Sequence, residues 1–393
     1  MKRKVYVAGV GMIPFTKPGA SLPYNEMAAA ATRAALADAR IDFSQIQQAY
    51  AGYVYGDSTA GQRALYEVGM SGIPMINVNN NCSTGSTALF LARQAVDSGA
   101  VECALALGFE QMQPGALGVV FKDRPTPFDK FEAVTDQLVG EPEIPLALRY
   151  FGGAGLAHMK QYGTRLETFA KIRAKASRHA ANNPLALFRK VVSEQDVMES
   201  PILWPGVMTR LMACPPTCGA AAAVLCSEAF ARSQQLDMRV WIAAQAMTTD
   251  TAVSFEARDM REVVGFSMAK DAAHQVYEAA GIGPDDLDVV ELHDCFAHNE
   301  LISYEALGLC AEGGAEPFVM AGDNTYGGKV VTNPSGGLLS KGHPLGATGL
   351  AQCTEPVLQL RGEAQARQVE GARIALQHNL GLGGACVVTL YRN

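Results

Sequence analysis

Residues 79–88 read Asn79-Asn80-Asn81-Cys82-Ser83-Thr84-Gly85-Ser86-Thr87-Ala88. The apolar run Met75–Val78 before them predicts a strand, and the pattern Ser86–Asp97 after them predicts an amphipathic helix. Cys82 is therefore expected at a helix start, where free backbone N–H groups and the helix dipole favour a thiolate. Such a placement lowers a thiol pKa from about 8.5 by one unit or more. Cys82 is accordingly predicted to be a nucleophile, the alternative being a buried structural cysteine.

Strand-like apolar runs alternate with helical patterns on both sides of this motif, a rhythm that is typical of an α/β protein. The predicted strands are Val5–Val10, Cys103–Leu107, Ala221–Leu225, Val289–Leu292 and Val387–Tyr391. The predicted helices are Tyr24–Ala39, Ser86–Asp97, Ala269–Ala280 and Gly349–Leu360. Because 393 residues exceed the usual size of one domain, we expect two or three packed units.

The two halves of the chain repeat each other. The segment Ala35–Ile41 resembles Val276–Ile282, and the tripeptide that begins at Ser83 resembles the one that begins at Ala347. A helix, a turn and a strand therefore recur in the same order in both halves. We predict an N-terminal half of residues 1–232 and a C-terminal half of residues 233–393.

The first half is longer than the second after its central helix. The strand that begins at Gly219 resembles the one that begins at Gly384, and the spacing from the central helix to this strand is larger in the first half. The extra residues are predicted to form an insertion between about Gln113 and Leu211, at residues 113–211. An insertion of this size typically forms a lid or a binding wall on a rigid scaffold, although a purely structural role is the alternative.

A second motif, Ser340–Gly349 (SKGHPLGATG), places His343 in a glycine-rich turn that opens a helix. This turn lies in the region of the second half that is equivalent to the Cys82 region of the first. A fold with pseudo-twofold symmetry would bring the two helix starts together and pair an imidazole base with a thiol. His343 is therefore a candidate general base, whereas a lone histidine elsewhere is more often a polar surface or core residue.

A third motif, Val289–Phe296 (VVELHDCF), ends a buried strand in polar side chains, where sites form in α/β proteins. His293 and Cys295 are two positions apart and face the same side of an extended chain. This arrangement suits a hydrogen-bond donor and an acid/base thiol. The alternative, a metal site formed with Asp294 and His298, is disfavoured because adjacent residues diverge along a strand.

A fourth motif, Leu376–Cys386 (LQHNLGLGGAC), is rich in glycine. Glycines let a backbone approach a ligand without intervening side chains. The same run also fits a tight turn between two elements.

Composition excludes several other classes of protein. The formal net charge of −7 disfavours a nucleic-acid surface, and no run approaches the about 18 apolar residues of a membrane span. The nine cysteines include no Cys-x-x-Cys pair, and Cys214 and Cys218 lack histidine partners at zinc-finger spacing, so neither disulfides nor zinc are expected. Without a signal peptide or a peroxisomal address at Tyr391–Asn393, a cytoplasmic location is expected.

The four motifs together resemble the thiolase superfamily, and within it the sterol-carrier-protein-x type. Longer stretches such as Gly52–Arg63 and Tyr304–Cys310 match this type as well, so the resemblance covers essentially the whole chain. It implies an α/β thiolase fold with two duplicated halves in a five-layer αβαβα arrangement, an inserted loop domain, and assembly into dimers or tetramers.

The resemblance also implies roles for single residues. Cys82 matches the acylated nucleophile and His343 matches the base that activates it. Ordinary thiolases carry a second acid/base cysteine in a turn near the C-terminus. In this chain the corresponding turn ends at Gly381 and contains no cysteine. The resemblance to the sterol-carrier type implies that Cys295 takes this acid/base role and that His293 donates a hydrogen bond to an oxyanion. The backbone N–H groups of Cys82 and Gly381 are implied to hold a second oxyanion.

The implied reaction is the cleavage of 3-ketoacyl-CoA by CoA into acyl-CoA and acetyl-CoA or propionyl-CoA, through an acyl-cysteine. Long, branched or steroid-side-chain substrates of lipid degradation are implied, with coenzyme A as co-substrate and with no bound cofactor or metal. Two rivals stay open. One is a steroid side-chain retro-aldolase with a small OB-fold partner, whose relatives lack the cysteine that is retained here as Cys82. The other is a non-catalytic acyl-CoA or lipid carrier.

The chain departs from the type in two places. Cys218 stands where this type tends to have an aspartate, which is expected to alter local hydrogen bonding. Mammalian members also carry a C-terminal sterol-carrier domain, which we expect this chain to lack because it ends after its last predicted strand.

Overall fold

The computed structural model describes residues 3–113, 118, 121–140 and 143–393. Its strands are β1 Val5–Met12, β2 Gln48–Gly52, β3 Met75–Val78, β4 Cys103–Glu110, β5 Ile202–Trp204, β6 Met208–Thr209, β7 Gly219–Ser227, β8 Trp241–Thr248, β9 Val289–Glu291, β10 Val331–Thr332, β11 Ile374–Gly381 and β12 Ala385–Arg392. Its α-helices are α1 Tyr24–Ala39, α2 Ala60–Tyr66, α3 Thr84–Asp97, α4 Asp129–Val139, α5 Leu146–Tyr162, α6 Leu166–Ala181, α7 Glu194–Met198, α8 Glu228–Gln234, α9 Val253–Glu256, α10 Met260–Val263, α11 Phe266–Ala280, α12 Ala297–Ala306, α13 Ala315–Ala321 and α14 Thr348–Arg361.

Ten strands form one mixed sheet whose two halves have the same internal order. The first half runs β3-β2-β4-β7-β1 and the second runs β10-β9-β11-β12-β8. In each half the first three strands of this order pair in parallel, and the last two strands each pair antiparallel with the strand before them. Within the sheet, the two halves join at the residue pairs Val5–Ile242 and Tyr6–Trp241 between β1 and β8. The prediction of an α/β fold with two duplicated halves is thus confirmed.

The helices complete the five-layer arrangement. α1 covers β1 and β7 on one outer face, and α11 covers β8 and β12 on the other. α3 and α14 lie between the two half-sheets and pack against each other, α3 on β4 and β2, and α14 on β7, β1, β11 and β9. α14 is almost entirely buried, which is expected of a helix surrounded by other layers.

The elements predicted from the apolar pattern are present. The helix Tyr24–Ala39 matches α1 residue for residue, and the helices predicted from Ser86 and Gly349 begin at Thr84 and Thr348. The equivalence of the segments at Ser83 and Ala347 is confirmed, because these are the residues immediately before α3 and α14.

Helices α4 to α7 and the hairpin of β5 and β6 lie between β4 and β7, where the insertion is predicted. Residues 114–117, 119–120 and 141–142 of the predicted insertion lie outside the described residues, as do Met1 and Lys2 of the N-terminal segment. α5 packs on α10 and α12, and α6 packs on the short π-helix Gly337–Lys341. The insertion therefore braces the segment that leads to His343. The limits 1–232, 113–211 and 233–393 stay predictions.

No helix in the described ranges is both long enough and apolar enough to cross a membrane.

Candidate active site

Cys82 lies between β3 and α3, directly before the N-cap residue Ser83, as predicted. Asn81 adopts a left-handed backbone conformation with φ of 51°, which asparagine tolerates better than most residues. The N–H of Asn80 donates to Oγ1 of Thr84 at 2.8 Å, which ties the turn to the first residue of the helix. The tight turn thus places the Cys82 side chain at the mouth of α3.

The expectation that the helix start lowers the pKa of Cys82 is wrong. The pKa of the Cys82 thiol is raised to about 12, mainly by burial and also by the nearby carboxylate of Glu110, whereas the backbone N–H of Cys82 lowers it only weakly. Desolvation outweighs the helix start because a thiolate is poorly solvated among apolar neighbours. The sulfur is therefore a thiol at rest and needs a base to become a nucleophile.

His343 is held so that one ring nitrogen is free to act as this base. Its Nδ1 lies 2.6 Å from Oγ1 of Thr348, and this hydroxyl donates its own proton to the carbonyl of Pro344 at 3.0 Å. Nδ1 must therefore carry the ring proton, which leaves Nε2 as an acceptor. Nε2 is buried and finds no hydrogen-bond partner in the described part of the chain. Burial also lowers the pKa of His343 to about 3, so the ring is neutral.

His293 has the opposite tautomer. Nδ2 of Asn379 lies 3.1 Å from Nδ1 of His293, and the same amide nitrogen donates to the carbonyl of Cys82 at 3.1 Å. Oδ1 of Asn379 accepts from the hydroxyl of Ser86 at 2.8 Å, which fixes the orientation of the amide. Nδ1 of His293 is therefore an acceptor and Nε2 carries the proton. Burial holds the pKa of His293 well below its usual value, so this ring is a neutral donor.

The structure brings these three groups together. The sulfur of Cys82, one ring nitrogen of His293 and one of His343 all lie within 4.8 Å of one another. The two imidazole rings are 5.0 Å apart between centroids and nearly perpendicular, at 84°. A thiol, an unprotonated imidazole nitrogen and a protonated one thus converge, which is a set suited to proton transfer and to holding an oxyanion.

The chemistry of the donors argues against a resident metal at this point. A metal would need an unprotonated nitrogen on each histidine, whereas Asn379 keeps the proton of His293 on Nε2. The alternative metal set around His293 is not formed among the described residues. There Asp294 accepts from the backbone N–H of Leu338 at 2.7 Å, and Nε2 of His298 pairs with the carbonyl of Val207 at 2.8 Å.

Cys295 lies next to this group, in the segment between β9 and α12. Burial raises its pKa, and the thiols of Cys214 and Cys82 are close enough to raise it further. The N–H of Cys214 donates to the carbonyl of Cys295 at 2.9 Å. Cys295 is therefore a protonated thiol at rest, as a proton donor must be. Cys214, for which the sequence indicated no zinc site and no other role, is a third thiol beside Cys82 and Cys295.

Gly381 is the last residue of β11 and packs against the turn that carries Cys82. A Cβ atom at this position would lie 2.3 Å from the carbonyl oxygen of Asn80 and 2.7 Å from Oγ of Ser83. Only glycine fits such a contact without moving the backbone. The backbone of the glycine-rich fourth motif thus packs against the turn that carries Cys82, whereas its approach to a ligand stays a prediction.

Three supporting residues were missed from the sequence: Asn379, Thr348 and Glu110. Thr348 had a detectable signal, because it occupies the same repeat position as Thr84, whose hydroxyl also braces the turn before its helix. Glu110 is a polar side chain at the last position of the apolar strand β4, and Asn379 lies two residues before the end of β11. That signal is weak, since strand ends are often polar.

The effect of cysteine at position 218 on local hydrogen bonding stays a prediction. The Cys218 thiol is fully buried and donates to the backbone carbonyl of Met112 at 3.4 Å. Burial raises its pKa, so no charge replaces that of an aspartate.

Comparisons with known proteins agree with this geometry. The family model described as "Thiolase, N-terminal domain" matches residues 5–120, and "Thiolase C-terminal domain-like" matches residues 250–390. "Sterol carrier protein 2" of Homo sapiens is 56% identical over 99% of this chain and 72% of the relative. "Benzoylsuccinyl-CoA thiolase subunit BbsB" of Thauera aromatica is 35% identical over 98% of this chain and 96% of the relative.

Two solved structures share the fold. The "Ltp2-ChsH2(DUF35) aldolase" matches with a TM-score of 0.83 at 21% identity, over 99% of this chain and 97% of the other. The human mitochondrial 3-ketoacyl-CoA thiolase matches with a TM-score of 0.74 at 18% identity, over 100% of this chain and 99% of the other. Family models, relatives and fold thus agree that this chain belongs to the thiolase family and is a thiolase-type acyltransferase.

Proposed function

We propose that the protein cleaves 3-ketoacyl-CoA with CoA through an acyl intermediate on Cys82. One observation carries the proposal: the Cys82 sulfur and a ring nitrogen of each of His293 and His343 lie within 4.8 Å, and Nε2 of His343 is buried without a partner. An unpaired buried acceptor within reach of a thiol is placed to take that thiol's proton, and the attraction between the resulting imidazolium and thiolate must offset the burial that disfavours both charges.

In the first half-reaction Nε2 of His343 takes the proton of Cys82. The thiolate attacks the 3-keto carbon, and the bond between C2 and C3 breaks. The departing acetyl-CoA or propionyl-CoA enolate accepts a hydrogen bond from Nε2–H of His293 and a proton from Cys295. The acyl group remains on Cys82 as a thioester.

In the second half-reaction the thiolate of Cys295 takes the proton of an incoming CoA thiol. The CoA sulfur attacks the acyl carbon, and the backbone N–H groups of Cys82 and Gly381 hold the oxyanion. Such a donor typically contributes about 10²–10³ in rate. Cys82 then leaves and recovers its proton from His343, which restores the starting state.

The names of the relatives support a choice of substrate class. Their names include a sterol carrier protein and a thiolase of an aromatic acyl-CoA, benzoylsuccinyl-CoA. We propose 3-ketoacyl-CoA esters with long, branched or steroid-side-chain acyl groups, used in lipid degradation by β-oxidation. A panel of such esters with free CoA, scored by kcat/KM, ranks the classes directly.

The test of the reaction uses Cys82→Ala, with Cys310→Ala as a control at a half-buried cysteine outside the site. Release of the two CoA products from a 3-ketoacyl-CoA is measured with and without added CoA. We expect Cys82→Ala to lose at least about 10³-fold in kcat and Cys310→Ala to stay near wild type. Wild-type turnover by Cys82→Ala would refute the proposal.

Two further readouts separate the rivals. Intact-protein mass spectrometry without free CoA is expected to show an acyl adduct on the wild type and none on Cys82→Ala. Cleavage of a 3-hydroxyacyl-CoA without CoA would instead indicate the retro-aldolase, and the absence of any adduct or turnover would indicate a carrier.

Assembly and location stay predictions. We propose a homodimer or tetramer, which light scattering after size exclusion tests. A small OB-fold partner is tested by co-purification at endogenous expression levels, and the cytoplasmic location by imaging of the tagged full-length protein.

A further inference from the structure

A single buried carboxylate joins the two halves of the chain next to Cys82. Glu110 is the last residue of β4 and is 1% exposed. Its Oε2 accepts from the backbone N–H groups of Val54 at 3.1 Å and Gly346 at 3.0 Å, and its Oε1 accepts from Tyr55 at 3.0 Å. Val54 and Tyr55 follow β2 in the first half, whereas Gly346 belongs to the turn that carries His343 in the second.

This carboxyl group is unusual for a buried acid. Burial raises the pKa of Glu110 to about 7, the three backbone N–H groups lower it, and no cationic side chain in the described ranges offsets the burial. A buried charge without a counter-ion destabilises a fold, and a neutral side chain of similar shape avoids that cost. The position therefore points to a role beyond packing.

We propose that Glu110 is a positioning residue for the acyl transfer inferred above, on which this inference rests: its carboxylate holds the His343 turn so that the imidazole faces Cys82. The turn from His343 to Gly346 is held at both ends by the other half of the chain. The N–H of His343 donates to Oγ1 of Thr217 at 3.1 Å, and the N–H of Gly346 donates to Glu110.

Glu110 also acts on the sulfur directly. Burial keeps the rings of His293 and His343 neutral and the thiols of Cys214 and Cys295 protonated. Above its own pKa of about 7 the Glu110 carboxylate is ionised, and its charge adds to the burial that disfavours the Cys82 thiolate. The carboxylate thus has two separable effects: its hydrogen bond to Gly346 orients the His343 turn, and its charge adds to the burial that raises the pKa of Cys82.

Two substitutions separate the effect of the length of the Glu110 side chain from the effect of its charge. Glu110→Gln keeps the length and removes the charge, whereas Glu110→Asp keeps the charge and shortens the side chain by one methylene. The control is Glu102→Gln, at the residue directly before the first residue of β4. Each folded variant is assayed for kcat and KM at pH 8.5, and for the rate at which iodoacetamide alkylates Cys82 between pH 7 and 10, followed by peptide mass spectrometry.

We expect both Glu110 variants to lose about 10- to 100-fold in kcat with little change in KM: the shorter aspartate no longer reaches the N–H of Gly346, and the glutamine amide offers one acceptor oxygen where Glu110 offers two, so both variants misplace the base. Only Glu110→Gln is expected to shift the alkylation profile, by about one pH unit toward lower pH, since one like charge is removed. A merely structural role would slow alkylation and turnover together.

Wild-type kcat in either variant, or an unshifted alkylation profile in Glu110→Gln, overturns the inference. If one variant does not fold, the other still decides through kcat. If the wild type cleaves no 3-ketoacyl-CoA, the proposed function fails by itself, and the alkylation profile of Glu110→Gln still decides the effect of Glu110 on Cys82.

Discussion

Gly85 and Gly349 meet where α3 and α14 begin, so closely that a Cβ atom on Gly85 would lie 3.1 Å from the backbone nitrogen of Gly349. In the opposite direction, a Cβ on Gly349 would lie 2.2 Å from the backbone nitrogen of Ser86. Neither glycine has a left-handed backbone, so space alone excludes a side chain. This contact lets the two helix starts, and the Cys82 and His343 turns before them, come within reach of each other.

The first prediction concerns this contact. Gly349→Ala places a methyl group against backbone that cannot rotate away, so we expect a loss of about 3 kcal/mol in the free energy of unfolding and a loss of turnover. Urea unfolding followed by circular dichroism measures the first, and product release the second. Gly283→Ala is the control, because a Cβ there meets nothing within 4 Å. Equal stability of the two variants would contradict the prediction.

The second prediction concerns the proton on Nδ1 of His343. Thr348→Val keeps the shape of the side chain and removes the oxygen that accepts this proton, so the ring can turn or change tautomer. We expect kcat to fall about 10- to 100-fold with a small change in KM. Thr354→Val is the matched control, since Thr354 is a buried threonine on α14 whose hydroxyl donates to the carbonyl of Leu350. Similar losses in both variants would show that the effect is structural.

The third prediction concerns the tautomer of His293. Asn379→Asp replaces the amide donor by an acceptor, so the ring proton is expected to move to Nδ1 and Nε2 to stop donating. We expect kcat/KM to fall about 10²–10³-fold, the usual loss of one oxyanion donor. Nitrogen-15 NMR of labelled histidine reports the protonated nitrogen directly. Adding Asn379→Asp to His293→Ala should cause little further loss; fully additive losses would show that Asn379 acts by another route.

The fourth prediction concerns pH. Because burial raises the pKa of Cys82 to about 12, the thiolate fraction of the free protein rises about tenfold for each pH unit below that value. We expect the rate of Cys82 alkylation by iodoacetamide to rise in this way from pH 7 to 10 without a plateau. Cys82→Ala gives the background from the other thiols. A plateau near pH 8 would mean that the helix start, not burial, controls the sulfur.

Much of the architecture could be predicted from apolar periodicity and from the repeat. The helix limits at α1 and the paired starts of α3 and α14 follow from patterns that need no knowledge of distant contacts. The positions of Cys82 and His343 before these helices follow from the same repeat. Such features are local, because a helix start depends on the residues next to it.

The properties of the site that need three dimensions could not be predicted in this way. The pKa of Cys82 was expected to fall and instead rises, because desolvation depends on side chains from the whole fold. The opposite tautomers of His293 and His343 depend on Asn379 and Thr348, and Asn379 comes from a strand distant in sequence from His293.

The order of residues alone thus specifies an α/β chain of two similar halves, each with a reactive side chain before its central helix. Folding specifies which nitrogen of each imidazole carries its proton, how far the sulfur is removed from water, and that Glu110 joins the halves beside it. The physical reason is the distance along the chain over which each property is determined. Helix and strand formation depends mainly on neighbouring residues, whereas proton positions and pKa values depend on every group that packing brings near.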